Sequence, residues 1–463
     1  MSRFRSASVS ILLLLLSGLV LSSGCTQTFS SEVDSSQKIN EQVGNFNSLL
    51  ADNDRFGSAI ANIGDLEGDG VVDLAVGAPY DDAGGIDRGA IWVLFMDDNG
   101  QVDIERKISS SDGNFAGALD NDDRFGSSID SIGDLNNDGV TDIVVGAPGD
   151  DDGGLDRGAL WILFMNSNGT VQSEQKISNS LSGFGDVLDN SDLFGSAVAN
   201  IGDLNNDGIT DLAVGVPFDD DGGTDFGAVW ILFMNNNGTV ASSQKISFTD
   251  GGFAGDLFTN DRFGSSVDVI SDLDGDGVPE LVVGVPGDDD GGVDRGAVWI
   301  LYMNSNGTVK NESKISQTAG TFDGTIGDGD EFGNAVSSLG DYNNDGVPDL
   351  GVAAKLSDDG GTDRGAFWII FLKADGSVIS SSKISDLQGN FKGTLVDNDQ
   401  FATDLVSIGD LDNNGINDIV VTASGDSVNG TNRGAVWILF MSTVKLGARV
   451  DKNTDLATLF GGG

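Results

Sequence analysis

Short apolar runs alternate with stretches rich in Gly, Ser and Asp along this chain, and the alternation repeats every 69 residues. In the second copy, a Gly- and Ser-rich stretch with spaced apolar positions (125–133) precedes a β-branched run (143–145) and a fully apolar run (159–165, ALWILFM). A short run that is apolar at every position is typical of a strand covered on both faces. The polar segment 172–178 follows, so each copy predicts four antiparallel strands joined by turns.

The register of the repeat is strict. One tryptophan recurs in each third strand and one phenylalanine at the start of each first strand: Trp92, Trp161, Trp230, Trp299, Trp368 and Trp437; Phe56, Phe125, Phe194, Phe263, Phe332 and Phe401. A single period through nearly all of the 463 residues favours one closed repeat architecture over two or three separate domains. A linear β-solenoid is the alternative, but its coils are usually far shorter.

These repeats predict an all-β fold, a β-propeller of six four-stranded blades within residues 38–463, because a third strand that is apolar on both faces fits a blade placed between two neighbours. The lysine of the outer strand occurs seven times, at Lys38, Lys107, Lys176, Lys245, Lys314, Lys383 and Lys452. One extra outer strand can close the ring. Because the segment at Lys38 matches the other copies better than that at Lys452, we expect the N-terminal segment to complete the last blade. Seven blades are the alternative, but they would need a further tryptophan and a further loop.

Between the first and second strands of each copy lies a loop with oxygen-bearing side chains at positions 1, 3, 5 and 9. In the second copy these are Asp134, Asn136, Asp138 and Asp142, and Gly139 lets the backbone turn. Ca²⁺ takes six to eight oxygen ligands, and this spacing lets a short loop supply several of them. We therefore expect one Ca²⁺ per loop, six in all. The other candidate ligands are Asp65, Glu67, Asp69 and Asp73; Asp203, Asn205, Asp207 and Asp211; Asp272, Asp274, Asp276 and Glu280; Asp341, Asn343, Asp345 and Asp349; and Asp410, Asp412, Asn414 and Asp418.

An EF-hand loop begins in the same way but requires a bidentate Glu at position 12 and a helix on each side. Position 12 is a valine in every copy: Val76, Val145, Val214, Val283, Val352 and Val421. Valine cannot bind a metal, and a β-branched run follows each loop. The loop is therefore expected to join two strands, and the EF-hand is excluded.

The composition narrows the range of functions. The formal net charge of −49 excludes nucleic acid as a partner, because a polyanion would be repelled. The chain has no histidine, so catalytic triads and metal sites that depend on histidine are impossible. Paired carboxylates can hydrolyse glycosides, but a catalytic pair should make one repeat differ from the others, whereas the acidic positions here recur. We expect no enzyme activity.

The N-terminus has the features of an export signal. A basic start precedes an apolar run (11–21) that is too short to span a bilayer. The segment 21–25 (LSSGC) resembles a bacterial lipoprotein signal, in which the cysteine is lipidated, although Ser22 stands where Leu is usual. Cys25 is the only cysteine, so no intramolecular disulfide can form.

From these features we expect a signal peptide at residues 1–24, lipidation of Cys25 and a polar tether at 25–37. Ordinary signal cleavage near Cys25 is the alternative. The expected location is the bacterial cell envelope, at the outer membrane or the cell surface.

Three elements of each copy together carry a family resemblance. In the second copy they are Phe125-Gly126, the acidic loop, and Val145-Gly-Ala-Pro148, and they resemble the FG-GAP repeat of integrin α-chain propellers over about residues 38–463. The resemblance implies calcium in the hairpin between the first two strands, and a role in adhesion or ligand binding.

Some copies depart from that pattern. The fifth and sixth copies have VAAK (352–355) and VTAS (421–424) in place of the Gly-Ala-Pro segment, and Ala402 replaces the glycine after the phenylalanine. Integrin propellers have seven blades, so six blades would also be a departure. No integrin ligand is carried over to this chain.

A second acidic cluster follows the second strand, at the opposite end of the blade from the calcium loop. In the second copy it comprises residues 150–152 with Asp156 and Arg157, and similar clusters recur at 81–88, 219–225, 288–295 and 358–364. It forms either a ring of carboxylates for a cation or a cationic partner, or a solvated turn held by its Asp–Arg pair. We favour the second interpretation.

The loops between blades vary most from copy to copy, and variable loops on a rigid scaffold usually carry specificity. Each holds one phenylalanine in register, which either anchors a partner from an exposed position or fills a gap between blades: Phe115, Phe184, Phe253, Phe322 and Phe391. The tryptophans are expected in the core.

The function that these features predict is a calcium-binding, surface-exposed module for adhesion or ligand binding. A mainly structural surface protein and a carboxylate-based hydrolase are the alternatives. The expected partner is a protein or a glycan, with contact to the membrane through a lipid anchor only and none with nucleic acid.

Overall fold

The structure is a computed structural model that describes residues 25–185, 187–442 and 445–450. The described part of the chain begins with β1 (Cys25–Ser30) and β2 (Val33–Ile39). Blade 1 contains β3 (Ile60–Gly64), β4 (Asp73–Ala78), β5 (Ala90–Met96) and β6 (Val102–Ser109). Blade 2 contains β7 (Ile129–Gly133), β8 (Asp142–Ala147), β9 (Ala159–Met165) and β10 (Val171–Ser178). Blade 3 contains β11 (Ala197–Gly202), β12 (Asp211–Val216), β13 (Ala228–Met234) and β14 (Val240–Ile246).

The remaining strands follow the same order. Blade 4 contains β15 (Ser266–Ile270), β16 (Glu280–Val285), β17 (Ala297–Met303) and β18 (Val309–Ser316). Blade 5 contains β19 (Val336–Gly340), β20 (Asp349–Ala354), β21 (Ala366–Leu372) and β22 (Val378–Ser385). The last strands are β23 (Phe401–Gly409), β24 (Asp418–Ala423), β25 (Ala435–Met441) and β26 (Lys445–Val450). No helix long and apolar enough to cross a membrane occurs in the part of the chain that the structure describes.

The strands form six antiparallel four-stranded sheets, so the predicted six-bladed propeller is confirmed. The sixth sheet has the order β2-β25-β24-β23, in which the N-terminal β2 supplies the outer strand and Lys38 lies opposite Trp437. This confirms that the N-terminal segment completes the last blade. Lys452, the other candidate for this strand, lies outside the described residues.

The second and third strands of every blade are almost wholly buried, because each blade is covered on both faces by its neighbours. The six tryptophans of the third strands are between 1% and 7% exposed, as expected for core residues. Their register is the same in every blade: Trp161 pairs with Val145 on one side and with Lys176 on the other.

The hydrophobic core is a ring of six layers, each built from two neighbouring blades. The layer between blades 6 and 1 contains Ile39 and Val436 from blade 6 with Phe56 and Trp92 from blade 1. The ring therefore closes through the same kind of contact that joins every other pair of blades.

Glycine sets the distance between neighbouring blades. The backbone of Gly146, at the end of the second strand of blade 2, faces the carbonyl oxygen of Gly195 at the start of blade 3. A Cβ on Gly146 would lie 2.1 Å from that oxygen. Gly195 itself has a φ of 87°, which favours glycine. The Phe-Gly and Gly-Ala-Pro segments of the repeat therefore meet across a blade interface.

The interface between blades 5 and 6 lacks both of these glycines. Ala353 stands at the position equivalent to Gly146, and Ala402 of blade 6 adopts a φ of 66° where the other blades have glycine. Here β23 begins at Phe401 itself, three or four residues earlier relative to the repeat than the other first strands. The backbone at this interface is thus rearranged to admit two Cβ atoms.

The N-terminal segment differs from the expected tether at 25–37. The strand β1 pairs with β26, and β2 already belongs to blade 6, so the propeller begins before residue 38. Phe29 N donates a hydrogen bond to Ser380 Oγ (2.8 Å), and the Phe29 ring lies 5.4 Å from that of Phe371. This segment therefore packs on the outer edge of blade 5. Residues 1–24, with the expected signal peptide, lie outside the described residues.

Three half-buried carboxylates line the central channel, which has a volume of about 230 Å³. Asp130, Asp268 and Asp404 come from blades 2, 4 and 6, and each accepts a backbone N–H of the next blade at 2.6–2.9 Å. Burial raises the pKa of Asp130 and Asp404 to about 7 and that of Asp268 to about 6. The six-fold ring thus has a three-fold pattern of links at its axis.

The close approach of blades 2 and 3 yields a direct test. We expect Gly146→Ala to lower the free energy of unfolding by about 2–3 kcal/mol, because the new methyl group must displace the backbone of blade 3. Urea unfolding measures the change. Gly185→Ala is the matched control, since a Cβ there would meet only one atom, 4.0 Å away. Equal stability of the two variants would contradict this account of the blade spacing.

Candidate metal centres and acidic turns

The six acidic loops lie where the sequence predicted them, between the first and second strands of each blade. In blade 2 the loop joins β7 to β8. The turn between β9 and β10 is at the same end of the blade, because Gln172 Nε2 donates to Asp138 Oδ2 at 3.2 Å. One face of the ring therefore carries all six loops.

Backbone N–H groups hold the loop carboxylates of blade 2. Asp134 accepts from the N–H groups of Asp138 and Gly139, both at 2.8 Å. Asn136 Oδ1 accepts from the same Asp138 N–H at 2.8 Å, and Asp138 Oδ1 accepts from Val140 N at 3.0 Å. These bonds turn the side-chain oxygens of positions 1, 3 and 5 towards the centre of the loop.

The acidic residue at position 9 begins the second strand and is fully buried in every blade. Asp142 accepts hydrogen bonds from Leu135 N in the loop (3.1 Å) and from Met165 N at the end of β9 (3.0 Å). Burial raises the pKa of Asp142 to about 6 and that of Asp349 to about 7. Position 9 therefore joins the loop to the sheet and places a poorly solvated carboxylate beneath it.

Three or more carboxylates converge within 4.8 Å of one another in three of the loops: Asp65, Glu67 and Asp73; Asp272, Asp274 and Asp276; and Asp410, Asp412 and Asp418. The convergent group of blade 4 does not include Glu280, whose Oε1 is buried without a hydrogen-bond partner. In blades 2, 3 and 5 position 3 is an asparagine, which contributes a neutral oxygen. All six loops thus bring together oxygen atoms of the kind that a hard cation requires.

Blade 4 has a feature that the spacing of acidic residues did not reveal. Lys310, on the outer strand β18, lies 2.9 Å from Asp274 and also contacts Asp276. Its ammonium group therefore pairs with two of the carboxylates that are candidate calcium ligands in this loop. The signal in the sequence is that Lys310 is the second residue of β18. The second residue of each other outer strand is not basic.

The second acidic cluster is neither a ring of free carboxylates nor a fully solvated turn. Its first aspartate, Asp150 in blade 2, is buried, and Lys176 of the outer strand lies 2.5 Å from it and 2.7 Å from Asp152. The same lysine lies over the Trp161 ring, 5.4 Å from its centroid. The register of the lysines is therefore explained by an ion pair and a cation–π contact that recur around the ring.

The prediction that the arginine pairs with an aspartate of its own turn is wrong. Arg157 Nε donates to Asn190 Oδ1 at 3.1 Å, in the loop that leads to the next blade. Arg295 and Arg364 make the equivalent contact to Asp328 and Asp397. The arginine thus joins the acidic turn of one blade to the loop that enters the next.

The phenylalanines of the loops between blades belong to the core in most blades. Phe115, Phe184, Phe253 and Phe391 are between 3% and 7% exposed. The Phe115 ring stacks on Phe125 (5.1 Å) and meets Trp161 edge-on (5.0 Å). The alternative in which these residues anchor a partner is therefore excluded for these four, because a buried ring cannot contact a ligand.

The ion pair below the acidic turn yields a test of its role. We expect Lys176→Met to lower the free energy of unfolding by about 3–5 kcal/mol, because it leaves the buried Asp150 carboxylate without its cation. The double variant with Asp150→Asn should recover much of the loss, since no buried charge remains unpaired. Thermal unfolding of the single and double variants measures both effects. Additive losses in the double variant would contradict the coupling.

One family model agrees with the repeats. The FG-GAP repeat model matches residues 125–163, 194–232, 263–301 and 403–439, which lie in blades 2, 3, 4 and 6. A crystal structure of BBS1N in complex with ARL6DN aligns with 92% of this chain and 98% of that chain, at 13% identity and a TM-score of 0.40.

Similar proteins include a phospholipase and integrin α-chains. The chain is 34% identical over 184 residues to phosphatidylinositol-glycan-specific phospholipase D of Bos taurus (39% of this chain, 21% of that protein). It is 35% identical over 196 residues to integrin alpha-3 of Cricetulus griseus (42% and 16%), and 32% identical over 249 residues to integrin alpha-5 of Xenopus laevis (53% and 21%). Each match thus spans about a fifth or less of the relative's length. The chain is a six-bladed β-propeller in which four blades match the FG-GAP repeat, and it is similar to part of the integrin α-chains.

Proposed function

We propose that this protein is an exported, calcium-binding surface module that binds a ligand through the face opposite its metal loops. The observation that carries the proposal is the contrast between the two ends of the ring. One end repeats the same oxygen-rich loop six times. The other end carries the acidic turns and the loops between blades, which differ from blade to blade and expose apolar side chains.

Calcium is the cation that suits the six loops. Each loop offers carboxylate and amide oxygens from a short, turn-rich segment, which a flexible coordination sphere of six to eight oxygens accommodates. The ligands that we propose are the residues at positions 1, 3, 5 and 9 of every loop. Bound calcium would supply a positive counter-charge for the buried position-9 carboxylates. Its expected role is therefore structural.

The opposite face has the composition of a binding surface. Large apolar residues are exposed at three positions of the repeat, and each position carries one in only two or three of the six blades: Leu49 and Val187; Ile86, Leu155 and Val293; and Phe258 and Val396, each more than half exposed. They stand among exposed aspartates such as Asp82 and Asp151. An apolar side chain within an acidic surface favours a partner that combines apolar and cationic groups.

The relatives support a binding role in general terms. Integrin α-chains share the repeat, and a ligand-binding or adhesion module is consistent with that relationship. We further propose lipidation of Cys25 and attachment to the bacterial cell envelope, on the lipoprotein-like segment 21–25. The side chain of Cys25 lies outside the described part of the structure.

Catalysis has less support than binding. The phospholipase D of Bos taurus is similar to this chain over only 21% of its length, so its activity is not transferred. Carboxylates are repeated around the ring, and the buried ones of the acidic turns are paired with lysines, as Asp150 is with Lys176. A mainly structural surface protein remains the second candidate, because the ring would be equally rigid without a ligand.

Calcium loading should stabilise the ring. Free calcium at about 100 times Kd contributes about 2.7 kcal/mol per site, so excess chelator should lower the melting temperature strongly and magnesium should restore little of it. Differential scanning calorimetry with calcium, with magnesium and with chelator measures this. An unchanged melting curve in chelator would contradict a structural role for calcium.

A single loop can be tested within the same protein. Asp138→Asn removes one charge from the loop of blade 2, and blade 6 already has Asn414 at this position. We expect one of the six sites to lose about tenfold in calcium affinity, because a neutral amide attracts a hard cation less than a carboxylate. Calorimetric titration measures the affinity, and the melting temperature in chelator should not change. Unaltered affinity at every site would exclude Asp138 as a ligand.

The binding face can be separated from the metal face. We expect Leu155→Ser combined with Phe258→Ser to abolish capture of cell-surface protein or glycan by the immobilised, calcium-loaded chain, because these side chains are 58% and 63% exposed. The melting temperature should stay within about a degree, since exposed substitutions change stability little. Asn99→Ala, in the β5–β6 turn on the metal face, is the control. Equal capture by all three proteins would favour the structural alternative.

A further inference from the structure

Blade 5 differs from the other five blades at the site of the buried ion pair. Ser357 stands where the others have a buried aspartate: Asp81, Asp150, Asp219, Asp288 and Asp426. Lys383 of blade 5 therefore lies 3.2 Å from Ser357 Oγ and 3.2 Å from Asp359, whereas Lys314 of blade 4 lies 2.6 Å from Asp288. The ammonium group of Lys383 is held less closely than its counterparts.

The aromatic residues of blade 5 are also arranged differently. A Cβ on Gly324 would lie 2.8 Å from Trp368 Nε1, whereas a Cβ on the equivalent Gly117 would lie 2.6 Å from the far carbon edge of Trp161. The indole of Trp368 is thus turned so that its N–H edge faces Gly324. Phe322 is half-buried, and its ring is 6.1 Å from that of Trp368, compared with 5.0–5.3 Å for the equivalent pairs of the other blades.

These changes surround one cavity of about 530 Å³, on the face that carries the acidic turns. Gly324 and Trp368 line it together with Ser357 and Lys383. The remaining polar lining consists of Asp323, Thr325, Asp330, Asp358, Asp359, Ser381 and Gln388. The loss of one carboxylate, the turned indole and the displaced phenylalanine therefore open a space at a single blade of an otherwise repetitive ring.

The lining suits a ligand that both donates and accepts hydrogen bonds. Its carboxylates are spread around the wall, and those of blade 5 are not among the convergent groups found in the described residues, so the cavity does not offer a compact metal shell. Asp359 already accepts from Gln388 Nε2 (2.9 Å), and Asp323 accepts from Ser381 Oγ (2.7 Å). Lys383 would repel an organic cation but can donate to a hydroxyl group.

We propose that the cavity of blade 5 binds a neutral carbohydrate of one or two sugar units. A sugar hydroxyl donates one hydrogen bond and accepts others, which matches a wall of carboxylates with one ammonium group. A cavity of this volume is in the range of small-ligand sites. The inference extends the proposed function, because it assigns one ligand class to one position on the proposed binding face.

The experiment uses the full calcium-loaded chain and a set of defined probes: the methyl glycosides of glucose, galactose, mannose and N-acetylglucosamine, with maltose and lactose. Saturation-transfer NMR identifies the binders, and calorimetric titration measures Kd. We expect millimolar or tighter binding of at least one probe by the native chain. Arginine and spermidine, at low and high salt, test whether the cavity prefers a cation.

Two variants locate the site. Ser357→Asp restores the residue of the other blades, and we expect it to weaken binding at least tenfold, because the new carboxylate pairs with Lys383 and fills the cavity. Asp358→Asn removes one acceptor charge and should also weaken binding. Asp289→Asn, the same change in blade 4, is the control and should bind as the native chain does.

The outcomes are distinct from those of the proposed function. Sugar binding that both blade 5 variants lose and Asp289→Asn keeps supports the inference. Binding retained by Ser357→Asp, binding of arginine or spermidine alone, or no binding of any probe at millimolar concentration overturns it. The substitutions at Leu155 and Phe258 should leave sugar binding unchanged, so failure of the general binding face and failure of this cavity are separable.

Discussion

The structure depends on the close contact between neighbouring blades. The second and third strands are apolar on both faces, so no blade can bury its own surface, and only a closed ring covers all of them. The contact of Gly146 with the carbonyl of Gly195 brings the backbones near enough for the side chains to interdigitate. Closure between blades 6 and 1 uses the N-terminal strand β2, so the two ends of the chain are held by the same contacts that hold its middle.

A consequence of this packing is that many carboxylates are buried at the two ends of each blade. On one face Asp142 and its equivalents lie beneath the acidic loops, where an external cation is the natural counter-charge. On the other face Asp150 and its equivalents are neutralised by an internal cation, Lys176 and its counterparts. Under the proposed function, the carboxylates of one face would be neutralised by a metal ion from the medium, whereas those of the other face are neutralised by a lysine side chain.

Because the blades repeat one sequence pattern, a change in one blade can be recognised by comparison with the other five. Five blades share the Lys–Asp–Trp arrangement, so the changes at Ser357 and Trp368 stand out as changes of one blade rather than as features of the fold. Lys310 distinguishes blade 4 in the same way, since no other acidic loop in the described part of the chain forms an ion pair with a lysine or arginine. Specific function in such a ring is expected where the repeat is broken, because repeated positions serve the scaffold.

The sequence by itself determined the number of blades, the order of the strands and the position of the acidic loops. These features depend on local periodicity, and six copies in one register make the pattern unambiguous. The loop residues from Asp134 to Asp142 are close in sequence, so their spacing alone predicted that their oxygens would meet. The burial of the tryptophans followed from the fully apolar third strands.

Only the tertiary structure decided which side chains meet across turns and between blades. Lys176 reaches Asp150 across a strand, Arg157 reaches Asn190 in the loop of the next blade, and Phe115 lies on Trp161 of the next blade rather than on the surface. The sequence predicted a polar tether at 25–37 because this segment is polar and rich in serine and threonine. It packs on blades 5 and 6 because the edge of each sheet offers unpaired backbone groups and an apolar neighbour, which no local pattern records.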